Sequence, residues 1–177
     1  RSFKTSISLG DEGIEPVEAS ALVLKDLKKE VLKNTGEEMK DVVIDIKGIQ
    51  EVDGQEDVVE VTTVGKMNII NGKTYLKYED SVATGVEGVS CVIKIDEEDN
   101  SVVMSRSGTL NSRMYIKKGQ RHICHYETGQ GTITMGIFGE AVTHNMTADG
   151  GKIFMSYTLD INYGMVSRNK VEISVKQ

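Results

Sequence analysis

Residues 152–161 constrain the fold more than any other stretch of this chain. Apolar side chains at Ile153, Met155, Tyr157, Leu159 and Ile161 alternate there with Ser156, Thr158 and Asp160. A period of two is the pattern of a strand with one face in a core and the other in water. Asp149-Gly150-Gly151 precedes it and Asn162-Tyr163-Gly164 follows it, and both are turn signals. A chain that repeats this unit must build sheet from hairpins.

The unit does repeat. Val42, Ile44 and Ile46 alternate with Val43, Asp45 and Lys47, and Val59, Val61 and Thr63 alternate with Glu60 and Thr62. Asn71-Gly72, the strongest hairpin signal in the chain, separates residues 67–70 from residues 73–78. Val89, Cys91, Ile93 and Ile95 share a face, and the polar turn Glu97-Glu98-Asp99-Asn100 follows. Val102, Met104 and Arg106 share the next face. Met114 and Ile116 then lead to the turn Lys118-Gly119-Gln120 and a strand over residues 121–127. Ile133, Met135 and Ile137, and finally Val171, Ile173 and Val175, complete the series. Short connections force antiparallel neighbours in up-and-down order. A long twisted sheet of this kind closes on itself, because closure removes its edges. The expected fold is all-β: a closed antiparallel up-and-down barrel of eight to ten strands, with an open sandwich second.

Residues 1–38 read differently. Residues 4–8 fit a short strand, and Glu15-Pro16 opens a helix with proline at its first turn, where no backbone donor is needed. Val17, Ala21, Leu24, Leu27, Val31 and Leu32 form an apolar stripe at helical spacing, and Asn34-Thr35-Gly36 ends it. The reading is an N-terminal amphipathic helix appended to a barrel over residues 39–177. Its stripe needs burial against the barrel or against a second copy, which makes a homodimer through this helix an expected arrangement.

The net charge of −6 argues against a nucleic-acid partner, which would require clustered Lys and Arg. No apolar run reaches the ~20 residues of a membrane-spanning helix, and no signal-peptide pattern opens the chain. Two cysteines far apart, Cys91 and Cys124, read as free buried thiols of a cytoplasmic protein.

Two resemblances follow from particular motifs. Met39-Lys40-Asp41-Val42-Val43-Ile44 with Lys47-Gly48, Ser105-Arg106-Ser107-Gly108, Lys118-Gly119-Gln120-Arg121, Tyr126-Glu127-Thr128 and Gly150-Gly151-Lys152-Ile153 run in order through residues 39–177. Together they resemble a bacterial family of small calycin-like, or lipocalin-like, β-barrels, which implies a barrel fold and no assigned chemistry. Leu9-Gly10, Pro16-Val17-Glu18-Ala19-Ser20-Ala21-Leu22-Val23-Leu24-Lys25 and Gly36-Glu37-Glu38, continuing to Val43-Ile44, are similar to a segment of the nucleotide-binding domain of seventy-kilodalton heat-shock chaperones. The phosphate-binding loops of that domain are missing, so no ATPase residue carries over, and a fusion junction is expected near Met39.

No catalytic constellation emerges. In His122-Ile123-Cys124-His125 a strand would send His122 and Cys124 one way and His125 the other, and His144 lies elsewhere, so no metal site is expected. Cys91 sits in an apolar alternation, the setting of an inert thiol. Asp53-Gly54-Gln55-Glu56-Asp57 lacks the spacing of a calcium loop, and neither glycine-rich stretch opens a helix as a phosphate cradle would. The interior is the remaining candidate. Arg106 and Tyr157 both fall on expected inner faces, with Tyr126 a third member, and a guanidinium in an apolar space needs a carboxylate or a ligand anion. The expected function is therefore non-enzymatic binding of a small apolar or amphipathic anion through Arg106, Tyr157 and Tyr126, without cofactor or metal. A barrel filled by its own side chains, acting through protein contacts, is the alternative.

Overall fold

A computed structural model describes residues 39–80 and 87–177. Ten strands run through them. They are β1 (Lys40–Val52), β2 (Gln55–Ile70), β3 (Lys73–Glu79), β4 (Val89–Asp96) and β5 (Ser101–Gly108), then β6 (Leu110–Lys117), β7 (Arg121–Thr128), β8 (Gly131–His144), β9 (Gly150–Ile161) and β10 (Gly164–Lys176). Each strand pairs antiparallel with its neighbour in sequence, and β10 pairs with β1 to close the barrel. Closure aligns Ile44 with Val175 and Ile46 with Ile173.

The expected barrel with an N-terminal amphipathic helix needs correction. Every named element among the described residues is a strand, and none is a helix. Among the described residues, period-two alternation broken by tight turns leaves no room for a crossing helix. The stretch on which the helix was expected, residues 15–33, lies outside the described residues, as do the expected strand at residues 4–8 and the junction before Met39.

The turns explain the register. Asn71 and Gly72 both take positive φ, 50° and 74°, which matches the right-handed twist of the flanking strands in a two-residue hairpin. Asp53-Gly54 does the same between β1 and β2. Alternation places Val42, Ile44, Leu76, Ile93, Ile95, Val102, Ile116, Ile153, Met155 and Ile173 inside, in one continuous core.

Two expected faces are interrupted. A bulge between Leu159 and Asp160 breaks the register with β10, so Asp160 is buried while Ile161 is exposed. Val59, expected to face the core, is exposed together with Val58, because the β1–β2 hairpin runs past the rim of the barrel.

Strand direction defines two ends. The upper end carries the turns at residues 53–54, 129–130 and 162–163, and the lower end those at 71–72, 97–100 and 118–120. Between β6 and β7 the ladder holds only the pairs Leu110↔Thr128 and Asn111↔Glu127, near the upper end. Below β7 the wall is closed by β8, where a Cβ on Gly139 would lie 2.3 Å from the Lys117 carbonyl oxygen.

Candidate functional site

The inward side chains differ in how completely they are covered. Ile44, Leu76, Ile93, Ile95, Val102, Ile116 and Ile153 are 0–1% exposed, as is Val89 at the upper end of β4. Met104, opposite Ile93, and Met114 and Tyr157 each retain 8% exposure, and Tyr126 and Leu159 are half-buried against the same core. A ten-stranded cylinder is wider than the roughly eight-stranded one that side chains just fill.

Arg106 occupies the inward position one alternation above Met104 on β5, opposite Cys91 on β4. Its side chain keeps 30% exposure, while its partner Asp80, just past the end of β3, is only 4% exposed. The Arg106 Nε to Asp80 Oδ2 distance is 3.5 Å, and Nε itself is buried without a hydrogen bond. The Cys91 thiol donates to the same Asp80 oxygen at 3.1 Å. Burial opposes the Arg106 charge, but Cys91, Tyr78 and Asp80 outweigh it and hold its pKa above the ordinary value. Asp80 was not legible as part of this cluster, because it lies beyond the strand's alternation.

Tyr157 is inward on β9, and burial pushes its phenol up to about 12. It lies near enough to Arg106 and Cys124 to feel both. Tyr78 also faces inward, with its pKa raised chiefly by burial. Tyr126 packs against the core from β7. Arg106 and Tyr157 thus act in one electrostatic neighbourhood, and Tyr126 borders the same apolar cluster. The Tyr157 and Tyr78 phenols are therefore neutral hydrogen-bonding groups at ordinary pH.

Both thiols are free and buried. Burial pushes Cys91 up to about 12 and Cys124 up to about 11, opposite to what a nucleophile requires. The histidines separate as strand geometry demands. His122 meets the Tyr115 ring at 4.5 Å between centroids and Gln120 Oε1 at 3.0 Å, whereas His125 meets Thr134 at 3.1 Å. Among the described residues no group of three His, Cys, Asp or Glu side chains converges as metal ligands would.

One buried acid escaped the sequence reading. Glu127 is 1% exposed, and neither carboxylate oxygen has a hydrogen-bond partner among the described residues. Burial raises its pKa. Strand parity puts it on the face opposite Tyr126, yet its charge still reaches the Cys124 thiol.

The outer face carries ion pairs, Lys66 with Asp41 at 2.7 Å, Lys176 with Asp45 at 3.1 Å, Lys117 with Asp99, and Lys47 with Glu60 at 3.6 Å, beside exposed apolar side chains such as Val64, Ile123, Ile133 and Met165. Among the described residues no helix is long and apolar enough to cross a membrane.

Comparison with known proteins agrees with this fold. The chain is 22% identical over 120 residues to the uncharacterized β-barrel protein YwiB of Bacillus subtilis strain 168, covering 68% of this chain and 82% of the relative. The crystal structure of the ywiB protein from Bacillus subtilis superposes with a TM-score of 0.69 at 20% identity, over 78% of this chain and 94% of that one. These support the resemblance to a barrel family; the likeness of residues 1–44 to a chaperone segment gains no support from them. Residues 44–173, most of the barrel, match the family described as a domain of unknown function, DUF1934, and the chain belongs to that family.

Proposed function

We propose that this chain is a non-enzymatic binding barrel that holds a small amphipathic anion in its interior beside Arg106. Arg106 supplies the charge, Tyr157 and Tyr126 supply hydroxyl groups, and Met104, Met114 and Leu159 supply the apolar lining. The observation that carries this reading is the state of Arg106. It is an inward guanidinium whose carboxylate partner sits at 3.5 Å, whose Nε makes no hydrogen bond, and whose side chain is still 30% exposed. A guanidinium presents five donors and recognises carboxylates in a fork geometry, so one distant oxygen leaves most of that capacity for a ligand. The resemblance to calycin-like barrels points the same way.

A panel of medium-chain carboxylates, screened by native mass spectrometry and thermal unfolding, tests the reading. The expected result is a one-to-one complex and a raised melting temperature, both lost in Arg106→Met with Tyr157→Phe weakening them. No bound mass and no thermal shift across the panel would overturn it.

The second reading is a filled barrel that acts through protein contacts. It is favoured by Asp80, which already gives Arg106 a counter-charge, and by the near-complete burial of most inward side chains. Self-association through residues 1–38 is a further proposal within this reading. Sedimentation of the whole chain beside a chain starting at Met39 tests it, with a dimer expected only for the former.

A further inference from the structure

We infer that the upper half of β2 is a docking edge for an extended, basic peptide segment, which adds to the barrel wall as a further strand. The two neighbours of β2 differ in reach. On one side β1 pairs with it along an unbroken register from Lys40↔Met67 to Val52↔Gln55. On the other side β3 pairs only from Gly65↔Tyr78 to Ile70↔Lys73. Asp80, the next residue, donates its N–H to the Val89 carbonyl of β4 at 2.8 Å, and β3 pairs no further along β2. Among the described residues, therefore, 55–64 have no strand partner on their second side.

Such an edge presents a row of backbone donors and acceptors, and proteins ordinarily blunt it with proline, a bulge or a very short strand. None of these devices is present here. Residues 55–64 contain no proline or glycine, their register with β1 has no shift, and Val58, Val59, Val61, Thr62, Thr63 and Val64 are all β-branched. What the edge does carry is acid: Glu56, Asp57 and Glu60 on β2, with Glu51 and Asp53 beside them at the hairpin tip. Among the described residues Lys47 pairs with Glu60 at 3.6 Å. Like charges placed opposite each other disfavour pairing of two copies of this strand, whereas Lys or Arg at alternate positions of an incoming strand would complement them. An open groove of about 870 Å³ lined in part by Thr63, Val64, Lys66, Lys77 and Glu79 continues the edge where β3 ends. Strand addition of this kind takes affinity from main-chain hydrogen bonds and selectivity from alternate side chains. The site lies on the wall and is independent of the interior ligand proposed above.

The test uses the whole protein and a labelled eight-residue peptide of alternating lysine and valine. Beside it stands the same peptide with alternate backbone nitrogens methylated, so that charge is unchanged and one hydrogen-bonding edge is blocked. The unmodified peptide should bind and protect backbone amides within residues 55–64 from hydrogen exchange. Methylation should weaken it at least about tenfold, as should Glu56→Lys with Glu60→Lys, two exposed positions outside the core. Equal binding by the methylated peptide would reduce the effect to charge attraction and overturn the proposal. So would protection confined to other strands, or a dimer in sedimentation that the peptide does not dissociate.

Discussion

Arg106 and Asp80 form a pair in which each residue makes the other tolerable. Removing only the cation leaves a carboxylate that is 4% exposed without its counter-charge. Arg106→Met should therefore cost roughly 3–5 kcal/mol in urea unfolding. The double change Arg106→Met with Asp80→Asn should recover most of that loss, because no buried charge remains. A double variant as unstable as the single would show that packing of the arginine stem matters more than its charge. Glu127 makes a prediction with the opposite sign. Its carboxyl titrates near 4.5 when exposed and higher in the folded barrel, so its contribution to stability is complete below pH 4.5 and is lost as pH rises through the raised value. Glu127→Gln should thus unfold at a higher urea midpoint than the parent at neutral pH. It should also flatten the decline that begins near pH 4.5. Arg106 and Tyr157 were legible because both lie within clean alternations. Asp80 and Glu127 were not, since one lies past a strand end and the other on a face that local pattern marks as polar.

At the scale of elements, the departures from alternation matter most. The β1–β2 hairpin keeps its period of two beyond the barrel rim, so the pattern that buries Val42 and Ile44 leaves Val58 and Val59 in water. Periodicity reports which residues share a face, not whether anything covers that face. The bulge after Leu159 lets Asp160 receive Arg121 in a two-point contact, Nε at 2.9 Å and Nη2 at 2.6 Å, with the guanidinium 4.0 Å from the Tyr163 ring centroid. This holds Asp160 below the usual carboxylate range. Gly136 lies under that arginine, where a Cβ would come within 2.2 Å of Nη2, so the glycine marks a packing contact and not a phosphate loop. Gly139 is more demanding, because the atom it would strike is the Lys117 carbonyl, which cannot swing aside. Gly139→Ala should destabilise the barrel by roughly 1–3 kcal/mol through overpacking. Differential scanning calorimetry should register a lowered Tm, and an unchanged Tm would mean that β6 and β8 can separate freely.

For the whole molecule the decisive contact is the last one the chain can make. β1 and β10 lie at opposite ends of the barrel sequence, and their pairing closes the longest loop. Contacts of that separation slow folding and form late, since loop-closure entropy must be met first. Ile173, 1% exposed and opposite Ile46, should lose roughly 2–5 kcal/mol on Ile173→Ala. Stopped-flow measurement should show most of that loss as faster unfolding, with the folding rate little altered. A fall concentrated in the folding rate would place closure in the nucleus instead.

Alternation and turn chemistry alone determined that this chain makes hairpins, which side chains share each face, and that an arginine and a tyrosine stand among apolar neighbours. Those are local properties, set by a period of two and by residues that tolerate positive φ. Only the tertiary structure decided that there are ten strands, that β10 meets β1, and that Asp80 is the residue facing Arg106. It also decided that β3 is too short to cover β2. Each of these depends on which distant segments come together and on how far neighbouring strands extend, and no local pattern encodes relative length or long-range partnership.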